Sequence, residues 1–102
     1  MTAPEPEPSP IETDPSLPRV TVRYWAAAKA AAGRAEDEVR AATVAAALVE
    51  AAELHTESPR YGQVLAVCSL LLGDQPLGGQ DLSTVSLTNG DVIEVLPPFA
   101  GG

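Results

Sequence analysis

Apolar and polar residues alternate along Arg19-Val20-Thr21-Val22-Arg23-Tyr24-Trp25, which is rich in β-branched and aromatic side chains. That period of two predicts a strand with Val20, Val22 and Tyr24 on one face. The alanine run at residues 26–32 predicts a helical turn or short loop that Gly33 ends. Residues 35–41 predict a weaker second strand carrying Val39, joined to the first as an antiparallel hairpin with a long connection. The period then changes. Val44, Ala47, Leu48, Ala51 and Leu54 recur at helical spacing, with Glu50, Glu53 and Glu57 on the opposite side and Thr43 as N-cap. This helix ends near His55, ahead of Ser58-Pro59, because a residue before proline is pushed out of helical geometry. The apolar run at residues 64–72 predicts a buried strand. Gly73-Asp74 predicts a tight turn, and Gln75-Pro76-Leu77 a short return. Residues 78–86 read as irregular, Asn89-Gly90 as a turn, and Val92 to Leu96 as the last strand. Pro97-Pro98 ends it, since neither residue can donate to a ladder.

The order strand, strand, helix, strand, short strand, strand predicts an α+β domain in which a small mixed sheet wraps one main helix, because each element has one apolar side to hide. It fits a β-grasp, ubiquitin-like roll. In that fold the first and last strands lie parallel at the centre of the sheet, so the C-terminus leaves from a rigid place.

Composition divides the chain into three parts. Residues 1–18 hold six of the ten prolines, four acids and no base. Such a segment cannot bury enough apolar surface to offset its chain entropy, so it is expected to be a disordered tail. It has neither the basic nor the apolar region of a secretory signal. Residues 19–96 form the folded domain, and residues 97–102 an extended tail. No apolar run reaches the roughly 20 residues that span a bilayer, so no membrane role is expected. A net charge of −8 argues against nucleic acid, whose usual footprint is a basic face. The lone Cys68 excludes an intramolecular disulfide and fits a reducing cytoplasm. Lying in an apolar strand, Cys68 reads as a buried inert thiol. His55, near a helix C-terminus, reads as a favourable charge–dipole position or a solvated residue, and the acids as scattered and solvated. No nucleophilic triad, phosphate-binding loop, dinucleotide fingerprint or metal-spaced cluster is present.

The chemistry concentrates at the end, Pro97-Pro98-Phe99-Ala100-Gly101-Gly102. A terminal Gly-Gly has no side chain and tolerates backbone angles closed to other residues, so it can enter a channel too narrow for them. Its α-carboxyl is ionised near neutrality and inert until it is given a leaving group. Pro97-Pro98 is a stiff, extended spacer. The six residues from Pro97 reach about 20 Å, enough to carry the Gly102 carboxylate into a neighbouring protein. Phe99 is either an apolar anchor in that partner's groove or packs on its own sheet.

Leu87-x-x-Gly90-Asp91-Val92, followed by Leu96-Pro97-Pro98-x-Ala100-Gly101-Gly102, resembles the end of the ubiquitin-like sulfur carriers. It is most similar to the small subunits of molybdopterin synthases. Val22-Arg23-Tyr24-Trp25-Ala26-Ala27-Ala28-Lys29 is similar to that family's first strand and its alanine-rich continuation. Cys68-Ser69-Leu70-Leu71-Leu72-Gly73 falls where the family has its third strand. The resemblance spans residues 19–102. The family often carries bulkier aromatics where this chain has Val95 and Leu96. The resemblance implies a sulfur-donating subunit that binds no cofactor itself. An E1-like adenylyltransferase, with ATP and Mg²⁺, would adenylate Gly102, and a sulfurtransferase would convert it to a thiocarboxylate. The molybdopterin synthase large subunit would receive the tail and supply the catalytic bases. There the sulfur would attack a pyranopterin precursor, and a dry tunnel would protect the thiocarboxylate from water. The same tail also suits a carrier for thiamine or cysteine biosynthesis, or a ubiquitin-like modifier that forms an isopeptide bond. A further alternative is a plain interaction module whose tail does nothing.

Overall fold

The computed structural model describes residues 16–98. Residues 1–15 and the tail residues Phe99, Ala100, Gly101 and Gly102 lie outside the described residues.

Strand β1 (Arg19–Tyr24) buries Val20, Val22 and Tyr24 on its inner face, as its alternation predicts. Helix α1 (Ala26–Ala32) ends at Gly33, whose φ of 76° is left-handed and whose N–H donates to the Lys29 carbonyl. Strand β2 (Glu36–Arg40) returns antiparallel to β1, with Val20 opposite Val39 and Val22 opposite Asp37. Helix α2 (Val44–Glu53) starts where the Thr43 side chain accepts the Ala46 N–H at 3.2 Å, satisfying one of the donors that a helix start leaves open. Its buried face is Val44, Ala47 and Ala51, small enough to let the helix pack closely. The last strand, β5 (Val92–Leu96), runs parallel to β1.

The apolar run at residues 64–72 is not one strand. Helix α3 (Pro59–Leu65) takes its first half, strand β3 (Ser69–Leu72) its second. Pro59 opens α3 instead of merely ending the helix before it, since the first turn needs no N–H from that position. Tyr61, Val64 and Leu65 fall at helical spacing and turn toward the core. A short apolar run carries no period of its own, so both halves read alike in sequence. β3 is half-buried where full burial is expected: Leu70 and Leu72, opposite Val95 and Ile93, pack only against the margin of the core, and Leu71 faces the other side. Cys68 precedes the strand, and its thiol donates to the Val64 carbonyl at 3.2 Å.

Strand β4 (Gln75–Pro76) completes a sheet of order β2-β1-β5-β3-β4. Residues 82–84 of the irregular segment form a single 3₁₀ turn. The Asn89-Gly90 turn docks the start of β5 on β1. Gly90, at φ 92°, donates to the Arg19 carbonyl, and the Asn89 side chain accepts the Arg19 N–H at 2.8 Å. At the amino-terminal side, the Pro18 carbonyl accepts from the Ala41 N–H at 3.0 Å.

Two polar expectations are corrected. His55 is neither solvated nor a simple helix-end cation, and Asp37 is not a surface acid. Both are buried. Asp37 occupies the inner face of β2, two residues from Val39, where its carboxylate would be costly without partners. It has three. The Tyr24 hydroxyl donates to Oδ2 at 2.7 Å, His55 Nε2 lies 2.6 Å from the same oxygen, and Arg34 Nε lies 2.7 Å from Oδ1. A carboxylate only accepts, so Nε2 carries the hydrogen. The hydroxyls of Tyr24 and Tyr61 are 2.8 Å apart, and the Tyr61 ring stacks on His55 at 4.2 Å. The hub joins β1, β2, α3, the α1–β2 turn and the segment that follows α2. No buried side-chain polar atom among the described residues is left without a partner.

Ile93 is fully buried between β1 and β3. Ile93→Ala is expected to cost about 2–5 kcal/mol, read as a lower urea midpoint. Burial raises the pKa of both Tyr24 and Tyr61, and Asp37 raises both further. These are the chain's two tyrosines. In the unfolded chain they ionise near the ordinary value of about 10. The unfolded state therefore sheds protons first, and stability falls as pH rises above about 10. Tyrosinate absorbance should stay flat until the protein unfolds, then rise together with the loss of circular dichroism. A gradual rise in the folded protein would contradict the buried cluster.

Candidate functional site at the carboxyl-terminal strand

The candidate site is the place where the chain leaves the sheet. β5 lies between β1 and β3, held by β1 as far as Val95 and by β3 as far as Leu96. Tyr24 stands opposite Val95, and Ser69 opposite Leu96. The Trp25 N–H donates to the Val95 carbonyl at 3.1 Å, one residue before the strand ends. Pro97 is half-buried and Pro98 exposed. With no N–H on either, the ladder stops there and the chain departs. The described residues thus carry the first two members of the predicted tail. Phe99, Ala100, Gly101 and Gly102 lie beyond them.

The register fixes which side chains surround the exit. On the outer face, Glu94 stands beside Arg23 of β1 and Leu71 of β3. Its Oε1 accepts the Trp25 indole N–H at 2.6 Å, and its Oε2 accepts from Arg23 at 3.3 Å. The Glu94 side chain is 17 % exposed, so this clasp is partly shielded from water and salt. Trp25 remains 46 % exposed although it is held by that bond. Leu71 and Leu96 share the outer face and are half-buried. The exit is therefore ringed by a fixed indole, two leucines and a neutralised ion pair, the mixture of apolar area and satisfied polarity that suits a protein partner.

A turn in the backbone reinforces this placement. Ala26 has a φ of 51°, a left-handed conformation uncommon for a residue with a side chain. It swings the chain from β1 into α1 directly after Trp25. The indole thus stays on the outer face while α1 goes to the inner one.

Among the described residues around the exit, one thiol lies close by. Cys68 lies next to Ser69, opposite the end of β5, but burial raises its thiol pKa, which disfavours the nucleophilic thiolate. Among the described residues no three His, Cys, Asp or Glu side chains gather as a metal site. No helix among them is long and apolar enough to cross a membrane. What the arrangement can do chemically is present a chain end. Sequence reasoning missed the Trp25–Glu94–Arg23 clasp, whose members are far apart in the chain. Its one available signal was the charged residue in the middle of an otherwise apolar last strand.

No protein-family model matches the chain, and no curated protein matches it in sequence. Solved structures do. The small archaeal modifier protein 1 of Methanosarcina acetivorans is similar over 84% of this chain and 98% of its own, at 20% identity and a TM-score of 0.69. That of Haloferax volcanii is similar over 82% and 99%, at 20% identity and a TM-score of 0.68. The complex of subunits 1 and 2 of the molybdopterin-converting factor of Helicobacter pylori contains a chain 27% identical to this one. There the match covers 82% of this chain and 99% of the other, with a TM-score of 0.58. The sheet order and these neighbours together establish that the chain has the ubiquitin-like β-grasp fold, with molybdopterin-converting factors and small archaeal modifiers as its structural relatives.

Proposed function

We propose that this chain is a sulfur carrier, the small subunit of a molybdopterin synthase, and that Gly102 is the reagent it delivers. The observation that carries the proposal is the placement of β5. It is the central strand, parallel to β1 and held to its last residue, and it runs straight into a Pro-Pro spacer and a Gly-Gly end. A rigid origin and a side-chain-free terminus are what insertion into another protein's narrow channel requires. The similarity to a chain of a two-subunit molybdopterin-converting factor supports a large-subunit partner. Trp25, Leu71 and Leu96 form the apolar area such a partner would cover.

In this scheme an oxygen of the Gly102 carboxylate attacks the α-phosphorus of ATP in an E1-like adenylyltransferase that also holds Mg²⁺. Pyrophosphate leaves and an acyl adenylate forms. Sulfur carried as a persulfide by a sulfurtransferase then attacks the acyl carbon, AMP departs with the bonding electrons, and a thiol reductant cleaves the acyl disulfide so formed to leave a thiocarboxylate. In the large subunit that sulfur attacks a carbon of the pyranopterin precursor and displaces an oxygen leaving group. Water then hydrolyses the thioester so formed, leaving the sulfur on the precursor and returning the Gly102 carboxylate, with catalytic groups that the large subunit supplies. The proposed setting is a reducing cytoplasm, in keeping with the single Cys68. Carriers for thiamine or cysteine biosynthesis would use the same tail with a different acceptor.

A second reading is a ubiquitin-like modifier, in which a lysine amine displaces AMP and an isopeptide bond forms. It is in keeping with the fold likeness to the two archaeal modifiers, at TM-scores of 0.69 and 0.68. The readings share activation at Gly102 and part at the acceptor.

Incubation with an activating enzyme, ATP and a sulfur source should raise the intact mass by the difference between sulfur and oxygen. An unchanged mass would count against every carrier reading. Deleting Gly102 should abolish the gain while leaving the circular dichroism unchanged. Capture of a synthase large subunit supports the molybdopterin branch. Capture of a thiazole or cysteine synthase points to the other carriers, and a ladder of isopeptide-linked proteins to the modifier.

A further inference from the structure

Trp25 is the chain's only tryptophan, and it is tied down although nearly half of it is exposed. Its backbone is held at both ends. The Trp25 N–H donates to the Val95 carbonyl, and the Trp25 carbonyl accepts the Ala28 N–H at 2.9 Å where α1 begins. Its indole N–H donates to Glu94 Oε1 at 2.6 Å, a charge-assisted bond stronger than one between neutral groups. Glu94 is held in turn. Glu36, Arg23 and Glu94 stand in one row across β2, β1 and β5, so Arg23 lies between two carboxylates, 3.6 Å from Glu36 and 3.3 Å from Glu94. A chain of contacts thus runs from the sheet to the indole ring. Nothing in the core needs it, because every one of these groups is on the outer face or beyond its edge.

We propose that Glu94 is a positioning residue: it fixes the Trp25 indole in advance, in the orientation in which the synthase large subunit closes over it. The role rests on the molybdopterin synthase reading and adds to it a residue that acts through another. The place of the indole commits the occupant. Trp25 bonds to Val95, two residues before Pro97, so a protein whose channel takes in the tail meets the indole at the mouth of that channel. Ordering a free side chain at an interface weakens association, whereas one already ordered brings its apolar area without that loss. Buried aromatic anchors of this kind carry a large share of binding energy. Charge is handled by the same row. A carboxylate covered by a partner is costly when it is left without a counter-charge. Glu94 has its counter-charge in Arg23, within its own sheet, so the large subunit needs no basic group to cover it. The indole N–H is likewise satisfied before docking, and the partner needs no acceptor for it.

The test uses the full chain and the large subunit from the same organism, with affinity read by calorimetry and the indole by its own ¹⁵N–¹H resonance. Glu94→Thr keeps a β-branched residue in the strand but is too short to reach the indole. It should bind about tenfold more weakly, keep the amide spectrum dispersed, and move the indole resonance toward its position in the unfolded chain. Glu94→Gln still offers an oxygen to the indole N–H and should recover most of the affinity. Trp25→Phe removes the donor, so adding Glu94→Thr to it should cost nothing further. Wild-type affinity in Glu94→Thr, a Glu94→Gln variant as weak as Glu94→Thr, or additive losses in the double variant would each overturn the positioning role while leaving the carrier reading intact. A wild-type chain that does not bind the large subunit would overturn the molybdopterin reading and the role with it.

Discussion

The pairing of β1 with β5 is the constraint on which the rest depends. It joins residues about seventy positions apart, placing Val22 beside Ile93 and Tyr24 beside Val95. Closing so long a loop costs chain entropy before any contact compensates. Compensation comes from the inner face, where these four side chains pack with Val44, Ala47 and Ala51 of α2 in one core. Once the pair forms, β5 has a partner on each side and its end is fixed in space. Pairing at a sheet edge would leave that end held from one side alone.

A second constraint is polar. The alanine-rich faces of α1 and α2 contribute little volume each, and the space beneath them is closed by Tyr24, Tyr61 and His55 gathered on Asp37. A buried carboxylate is tolerable because each of its oxygens is occupied by donors. The cluster specifies where α3 sits. Its members fit together in one arrangement, whereas apolar side chains alone would accept several.

The two faces of the sheet therefore do different work. The inner face, with the helices and the hub, makes a body that holds its shape. The outer face carries no helix and holds Trp25, Glu94 and Arg23 in place beside the exit. Such an arrangement suits a protein whose reacting group belongs to the chain end and whose catalysts belong to its partners.

Much of the fold was legible in the sequence because it is written in local periods. The alternation of β1, the helical spacing from Val44, the cap at Thr43 and the stops at Gly33 and Pro97 all act within a few residues. So does the order of elements, which was enough to suggest a β-grasp. The division of residues 64–72 was not legible, since a short apolar run has no period until a neighbouring surface selects which side chains it buries. Asp37 and His55 were misread for a related reason. A polar residue alone in sequence is most simply solvated, and only the approach of Tyr24, Arg34 and Tyr61 made burial affordable. The sequence by itself determined most of the elements and the Pro-Pro and Gly-Gly run that follows the last strand. Tertiary structure decided which strands became neighbours, and so where that end leaves the body, what surrounds it and which strand edge stays open. Those outcomes rest on contacts between residues distant in the chain, which no local pattern encodes.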